Sequence, residues 1–404
     1  MLHPTRPLAP LGALLLLALA GCAAPSASSA PTATAESDAH GQIDGAAELA
    51  EPALGLTSID ADGRVSHLDL LDESTADLGT VRAPAAVHSD GRYLFSAAAG
   101  GVSIVDSGVW TWDHVDHFHY YRAPARVIGE VAGEGVATVA TSNSSTTGGT
   151  GVFFPDSGEA VLLDTEALSK GEVAEKFRVT TEPGAGLVVP AGSFAAIASA
   201  GEVSLHAADG TAIGVTTPCA EPAGTITTRV GAVIGCRDGA VLVSVDGEQP
   251  VAEVVPYPPG TTAPRATGFH NREGRPSVAA LAGDAGIWIL DTRERAWTLL
   301  PAPEPLVQVT AVDDKNANVL ALTAGGRVLV LDGDTGAVRA ASAPLVSESL
   351  AAGLPVTLIA DQQRAYLNGP AENRMWELDF ADDARVAREF APERTPLFFA
   401  ETGR

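Results

Sequence analysis

Short apolar stretches alternate with Gly- and Asp-containing turns along the chain from about residue 54 onward. Each repeat, about 40 residues long, holds an apolar strand, a turn, a second strand, a Gly turn and a third strand ending near Asp. Examples of the third strand are 101–106, 285–291, 326–332 and 374–379. Short strands at regular spacing indicate all-β architecture, and about four strands per unit at this period are typical of a β-propeller.

The repeats predict eight blades, with seven as the alternative because weak repeats blur the count. The units open near residues 54, 84, 135, 186, 224, 265, 305 and 347. The first unit has only three strands, whereas the segment 396–401 is a strand without a partner. We expect this C-terminal strand to complete the first blade, so that strand pairing closes the ring and leaves no open sheet edge.

The first residues predict export and lipidation. Arg6 provides a minimal charged region, and the apolar run Leu11–Ala20 is too short to anchor stably in a bilayer. The run leads into Leu-Ala-Gly-Cys, with Cys22 as its last residue, which is typical of a bacterial lipobox. We expect Cys22 to be lipidated after cleavage. An ordinary signal peptide with an incidental Cys is the alternative.

Three segments follow from this interpretation. Residues 1–21 are the signal peptide, and residues 22–47 carry the lipidated Cys and a tether. The tether is rich in Ala, Ser, Pro and Thr, a composition that cannot bury a core and should be flexible. Residues 48–404 form a single propeller domain. The mature protein is therefore predicted to be extracytoplasmic, lipid-anchored to the outer face of the cell membrane.

The net charge of the chain limits the classes of partner that it can bind. The chain has 25 Lys and Arg against 50 Asp and Glu, a net charge of −25. Nucleic-acid phosphates and anionic membrane surfaces both require basic residues, so the net charge argues against these partners. The acidity suits a cation-binding protein only weakly, and the solubility of an exported protein explains it better.

Cys219 and Cys236 are expected to pair, because exported proteins with two further cysteines commonly form a disulfide. They lie on either side of 224–235, which has the pattern of a strand, a turn and a strand. We therefore predict a disulfide that staples this hairpin. A pair of thiolate metal ligands is the alternative.

The segment 110–121 is the densest in potential metal ligands. Three of the nine His residues, His114, His117 and His119, lie there within six positions, with Asp116 among them. Imidazole nitrogen and carboxylate oxygen bind Zn²⁺, and also Cu²⁺ or Ni²⁺. In an extended segment His117 and His119 share a face, and a tight turn would add His114 or Asp116. The alternative is a solvated polar loop, with Trp110 packing the loop onto its blade.

Two further histidines are candidate ligands because of their places in the repeat. In a propeller blade, the turn after the first strand and the loop after the third emerge on the same face. The histidine-rich segment follows the third strand of the second blade, and His88 follows the innermost strand of that blade. His270 occupies the corresponding place in the sixth blade. This strand count predicts that His88 and His270 converge with the loop histidines at one mouth of the central channel.

The segment Gly108–Ala123, with its core His-Val-Asp-His-Phe-His, resembles the signature of the AztD family of periplasmic zinc metallochaperones. The downstream segment Thr141–Phe153 and the two cysteines are similar to that family as well. The resemblance extends over about residues 50 to 404 and suggests an actinobacterial lipoprotein member. It implies a β-propeller that is not an enzyme, binds Zn²⁺ and delivers it to the solute-binding protein of a zinc ABC importer. We expect a monomer.

One departure from the family pattern concerns the residues after Cys219. The family has a Leu-His-Gly-Glu-like segment there, whereas this chain has Ala220–Gly224 without a His. His270, in the segment 268–272, is the candidate replacement for the missing ligand.

Two other functions are alternatives to metal delivery. Propellers also serve as scaffolds for protein–protein interaction and as metal-dependent hydrolases or lactonases, whose catalytic zinc keeps a position open for water. The chain has neither Gly-x-Ser-x-Gly nor His-Glu-x-x-His, and the Gly-rich 148–151 lacks the Lys of a phosphate-binding loop. A tight metal site without hydrolytic activity would distinguish the chaperone from the hydrolase.

Overall fold

Antiparallel β-strands account for most of the residues that the structure describes. The computed structural model describes residues 41–113 and 117–404. The first strands are β1 (Ala47–Leu49), β2 (Gly55–Ile59), β3 (Arg64–Asp69), β4 (Thr75–Thr80), β5 (Ala86–Ser89), β6 (Tyr93–Ala98), β7 (Gly101–Asp106), β8 (Val109–Asp113), β9 (Phe118–Arg122), β10 (Arg126–Ala132), β11 (Thr138–Thr141), β12 (Gly149–Phe154), β13 (Glu159–Asp164), β14 (Glu175–Thr180), β15 (Leu187–Ala191), β16 (Phe194–Ser199) and β17 (Glu202–His206).

The remaining strands follow in the same pattern. They are β18 (Ala212–Pro218), β19 (Thr225–Thr227), β20 (Ala232–Cys236), β21 (Gly239–Asp246), β22 (Gln249–Pro256), β23 (Ser277–Leu281), β24 (Ile287–Asp291), β25 (Ala296–Leu300), β26 (Leu306–Ala311), β27 (Asn318–Thr323), β28 (Val328–Asp332), β29 (Val338–Ala341), β30 (Leu358–Ala360), β31 (Ala365–Gly369), β32 (Arg374–Asp379), β33 (Arg385–Phe390) and β34 (Phe398–Thr402). Two short helices, α1 (Thr165–Ser169) and α2 (Ser347–Ala351), follow β13 and β29. In the described part of the chain, no helix is both long and apolar enough to cross a membrane.

The strands form sheets that repeat one plan. Consecutive strands pair antiparallel in β11–β14, β15–β18, β19–β22, β26–β29 and β30–β33, and β5, β6, β7 and β10 form a similar sheet. The sixth unit has the three strands β23–β25. This succession of antiparallel sheets confirms the predicted all-β propeller. The number of blades, eight or seven, stays a prediction.

The predicted ring closure is confirmed. Strand β34 pairs antiparallel with β2, from Gly55 opposite Thr402 to Ile59 opposite Phe398. It is the first strand of a four-stranded sheet in the order β34, β2, β3, β4. The last strand of the chain therefore completes the first sheet, and hydrogen bonds join the two ends of the propeller.

The core lies between neighbouring sheets. Strands β6 and β7 are buried along their whole length, and their residues are apolar except Ser96, Ser103 and Asp106. Phe95 and Ile104 of the second sheet pack in one cluster with Val152 and Val161 of the third. Each large apolar side chain buried in this way contributes about 1.5–3 kcal/mol relative to exposure. The alternation of such clusters around the molecule fixes the sheets to one another.

The sixth unit departs from the predicted four-strand plan. Its innermost strand is reduced to one bridge, in which His270 and Ala279 exchange backbone hydrogen bonds of 2.9 Å. Just beyond, the backbone N–H of Arg272 donates to the carbonyl of Ala311 in the next sheet, at 2.7 Å. The chain leaves its own sheet at this point because it pairs with the neighbouring one, so a regular strand cannot continue.

The predicted disulfide between Cys219 and Cys236 is present, with Cα atoms 5.0 Å apart. Its location corrects one detail of the prediction. Cys219 follows β18, the outer strand of the fourth unit, whereas Cys236 ends β20 in the fifth. The bond therefore joins two neighbouring sheets and does not merely close one hairpin.

The histidine-rich segment forms a hairpin inserted into the second sheet. Strands β8 and β9 leave the sheet after β7, and β10 returns to pair with β7. The hairpin forms a separate three-stranded sheet with β1, in the order β1, β9, β8. Residues 41–47, which the sequence assigns to the tether, lie against this hairpin in the structure. The hairpin thus forms a sheet of its own with an N-terminal strand, and Thr111 Oγ1 donates to the carbonyl of Gly403 at 2.8 Å.

Candidate metal centre

A buried ion pair anchors the base of the hairpin. Arg92 donates to both carboxylate oxygens of Asp106, from Nε to Oδ1 at 2.9 Å and from Nη2 to Oδ2 at 2.8 Å. Both side chains are almost fully buried. Oδ1 of Asp106 also accepts a hydrogen bond from the backbone N–H of Gly108, where the hairpin begins. The direction in which the hairpin leaves the sheet is therefore fixed by a buried ion pair with two parallel hydrogen bonds.

Aromatic packing extends this anchor along the hairpin. The ring of Trp110 lies under the Arg92 guanidinium and stacks on Tyr121, with ring centroids 5.3 Å apart. Trp110 is buried, as the sequence predicts for a residue that packs the loop onto its blade. In the hairpin register Trp110 is opposite Tyr121 and Trp112 is opposite His119. His119 therefore lies two positions beyond the stacked Trp110–Tyr121 pair along the hairpin.

His117 and His119 come together on the hairpin. Their Nε2 atoms are 2.9 Å apart, and their rings meet at 65° with centroids separated by 4.7 Å. Phe118, between them in sequence, is exposed, as expected when side chains alternate along a strand. His114 and Asp116, the other predicted ligands of this segment, lie outside the described residues.

A third residue joins the pair from a distant part of the sequence. The Oε1 atom of Glu48 in β1 lies 2.7 Å from Nδ1 of His119. An ionised carboxylate only accepts hydrogen bonds, so this contact places a proton on Nδ1 of His119 and leaves Nε2 as an acceptor. Sequence reasoning missed Glu48, because it lies 71 positions upstream, at the predicted boundary between the tether and the propeller domain.

The donor set and its spacing fit a divalent transition metal. Two ligands of a tetrahedral Zn²⁺ with bonds of about 2.0–2.1 Å lie about 3.3 Å apart, slightly more than the separation of the two Nε2 atoms. A carboxylate on the far N–H of a ligand His is the usual second partner at such sites. Within residues 41–113 and 117–404, no group of three or more His, Cys, Asp or Glu side chains is arranged around a common metal position. The pair therefore offers two candidate ligands of the four that zinc usually takes.

His88 and His270 lie in the wall of a cavity of about 370 Å³. The Nε2 atom of His88 lies 3.2 Å from the Thr141 hydroxyl. Dense surrounding protein lowers the pKa of His88 and of His270 to about 4, so both imidazoles are neutral at physiological pH. The cavity wall includes neither His117 nor His119, so the described residues place the predicted ligands in two groups.

Charged residues share the cavity with these two histidines. Arg404 lines it and lies 2.8 Å from Glu273 and 3.1 Å from Glu401, as measured from Nε and Nη1. Burial raises the pKa of Asp90, another lining residue, to about 7, while backbone N–H groups of Arg92 and Tyr93 donate to its Oδ1. The cavity is therefore polar, with acidic groups whose ionisation is opposed by burial.

The fold and the hairpin together define the class of protein: a β-propeller with a histidine-bearing insertion. No protein-family model matches the chain, and no curated protein matches its sequence. The fold is that of AztD from Citrobacter koseri. Its crystal structure superposes with a TM-score of 0.74 at 18% identity, covering 88% of this chain and 99% of that one.

A second comparison with AztD agrees, and other propellers align less well. The structure of apo AztD from the same organism gives a TM-score of 0.74 at 18% identity, covering 87% of this chain and 98% of that one. Sqt1 from Chaetomium thermophilum gives 0.51 at 16% identity, covering 84% of this chain and 91% of that one. The resemblance to AztD that the sequence predicts is thus confirmed at the level of fold.

Proposed function

We propose that this protein is an extracytoplasmic zinc-binding metallochaperone that delivers Zn²⁺ to the solute-binding protein of a zinc ABC importer. The observation that carries the proposal is the His117–His119 pair, whose Nε2 atoms face each other at 2.9 Å on an anchored hairpin. The AztD-like fold and the similarity of the hairpin sequence to the AztD signature support the same function. Binding and delivery, without catalysis, are the whole of the proposed activity.

His117 and His119 are the central ligands in this proposal, each binding Zn²⁺ through Nε2. His114 and Asp116, from the same stretch of the sequence, are proposed to complete the set. His88 and His270 form a separate candidate group in the cavity, where their neutral imidazoles have lone pairs available for a metal. A carrier must exchange its metal, and the exposed side chain of His117 is within reach of an acceptor protein.

The cellular setting follows from the N-terminal sequence. The protein is proposed to be exported, lipidated at Cys22 and held at the outer face of the cell membrane as a monomer. Its acceptor would approach from the extracytoplasmic side, where the importer takes up metal. Nucleic acid has no part in this function because the chain is strongly acidic.

Metal content and affinity test the proposal. The full chain should retain about one Zn²⁺ through dialysis, as a site with several protein ligands does. The double variant His117→Ala/His119→Ala should lose it, and His88→Ala/His270→Ala serves as the matched control in the cavity. Equal zinc content in wild type and the hairpin variant, with loss in the cavity variant, would move the site to the cavity.

The same experiment separates the alternative functions. Zinc retention without hydrolysis of lactone or ester substrates supports the metallochaperone, and a transfer assay to a zinc-free solute-binding protein then tests delivery. Zinc-dependent hydrolysis would instead indicate a metal-dependent hydrolase or lactonase. If neither wild type nor variant retains metal, the metallochaperone proposal fails and an interaction scaffold becomes the better description.

A further inference from the structure

Residues 41–49, called the strap below, hold the histidine hairpin at two points. At one end, the indole Nε1 of Trp110 donates to the carbonyl of Gly41 at 3.1 Å. At the other end, β1 pairs with β9, with Ala47, Glu48 and Leu49 opposite Arg122, Tyr121 and Tyr120. The strap therefore contacts both strands of the hairpin.

Glu48 gives the second contact a chemical role. Its carboxylate accepts from Nδ1 of His119 at 2.7 Å and so selects the tautomer in which Nε2 carries the lone pair and acts as an acceptor. That lone pair is directed at His117, where a shared metal would bind. Outer carboxylates of this kind orient a ligand ring and raise its basicity. The strap thus supplies the residue that sets His119 in a metal-binding state.

The strap is short, and most of its residues are exposed. Its strand β1 has only three residues, two of them exposed, and it is an edge strand of its sheet. Among the described residues, the strap is attached through the backbone pairing of β1 with β9, the Gly41–Trp110 hydrogen bond and the Glu48–His119 contact. Segments with few buried apolar contacts open locally at low free-energy cost. Detachment of the strap should leave the propeller folded.

We propose that the strap is a detachable clamp on the metal site, with Glu48 as its positioning residue. The attached strap favours zinc binding, and its detachment lowers zinc affinity and promotes release. By linkage, bound zinc must in turn stabilise the attached strap, because the coupling between two binding events is reciprocal. This inference rests on the proposed zinc-binding function and adds how that site is regulated.

Substitution of Glu48 tests the positioning role. Zinc affinity, measured on the full chain by competition with a chelator, should fall about 10- to 100-fold in Glu48→Ala, the usual effect of losing an outer-shell partner. Glu48→Gln should recover part of the loss because its amide oxygen accepts the same hydrogen bond. Glu51→Ala, an exposed change two residues beyond the strap, is the matched control and should bind as wild type.

The tautomer of His119 is a readout that a merely structural role would not change. In metal-free wild type, imidazole ¹⁵N spectra should show the Nδ1–H form, which should persist in Glu48→Gln and be lost in Glu48→Ala. An unchanged tautomer and unchanged affinity in Glu48→Ala would overturn the inference while zinc binding itself stands. If wild type binds no zinc, the proposed function fails, and the metal-free spectra still decide whether Glu48 sets the tautomer.

Hydrogen exchange tests the reciprocal effect. Addition of Zn²⁺ to the full chain should slow exchange in peptides covering 41–49, and it should not do so in His117→Ala/His119→Ala. Peptides from a buried strand such as β6 provide the internal reference. Wild-type zinc affinity combined with unchanged exchange in the strap would show that strap and metal are independent, and the clamp would be rejected.

Discussion

The guanidinium of Arg92 lies 3.8 Å from the centre of the Trp110 ring. Arg92 belongs to the propeller body and Trp110 to the inserted hairpin, so this contact joins the scaffold to the candidate metal centre. The same guanidinium is paired with Asp106, which also accepts a hydrogen bond from the backbone N–H of Gly108 at the hairpin base. One buried guanidinium therefore takes part in both the ion pair and the aromatic stack next to the histidines of the hairpin.

Removing this cation should destabilise the protein. Arg92→Ala leaves Asp106 buried without its partner, and breaking a buried pair in this way costs about 3–5 kcal/mol. Urea denaturation should show that loss in the free energy of unfolding. The control is Arg82→Ala, which removes an exposed ion pair with Glu130 and should change stability by about 1 kcal/mol or less. Equal losses in the free energy of unfolding of the two variants would show that the Arg92–Asp106 pair does not anchor the hairpin.

The disulfide should contribute stability but no metal binding. Cys219 and Cys236 are 17 residues apart, and closing a loop of about this length stabilises a protein by about 3 kcal/mol. Cys219→Ser/Cys236→Ser should lose about that amount in chemical denaturation and keep its zinc content. Loss of zinc together with the cysteines would favour the alternative in which they are metal ligands.

Acid should weaken the folded state through His88. Its pKa is lowered to about 4 by burial, whereas in the unfolded chain it is near 6.5. Between pH 4 and pH 6.5 the unfolded state therefore binds more protons than the folded state. The contribution of neutral His88 to the free energy of unfolding is complete above pH 6.5 and is lost as the pH falls towards 4. Relative to His88→Asn, wild type should lose up to about 1.4 kcal/mol per pH unit in this range.

The measurement is the difference between the two unfolding free energies as a function of pH. Taking the difference removes contributions that both proteins share, such as the titration of Asp90, whose raised pKa acts with the opposite sign. A difference that stays constant from pH 6.5 to 4 would contradict the assignment of His88 as a buried neutral imidazole.

The strand pattern was predictable because its determinants are local. Alternating apolar positions and Gly or Asp turns lie within each unit, and the unpaired last strand left one arrangement that closes the ring, with β34 beside β2. The His117–His119 face followed equally from the period of a strand. Each of these features depends on residues close together in sequence or on a single missing partner.

The features that could not be predicted from the sequence depend on contacts between residues that are far apart in the chain. Glu48 has no motif around it, and only the pairing of β1 with β9 brings it to His119. The innermost strand of the sixth unit shrinks to one bridge at His270 because the following residues pair with Ala311 of the next sheet. The disulfide was predictable as a pair, but its placement between two sheets required knowing where β18 ends.

Gly41 provides a final prediction about the strap. A Cβ at this position would lie 2.5 Å from the Trp112 ring, and its φ of +71° is strained for other residues. Gly45 has a similar φ of +83° but nothing within 4 Å of the added carbon. Gly41→Ala therefore combines strain with a steric clash, whereas Gly45→Ala carries the strain alone, about 1 kcal/mol.

Zinc affinity should fall further in Gly41→Ala than in Gly45→Ala, because the clash pushes the strap away from the hairpin and takes Glu48 from His119. Chelator competition measures affinity, and thermal unfolding of both variants should match, since the strap adds little to the propeller core. Equal affinities in the two variants would mean that contact between Gly41 and the tryptophans does not hold the strap. A stronger effect in Gly45→Ala would place the control of the site in the turn before β1.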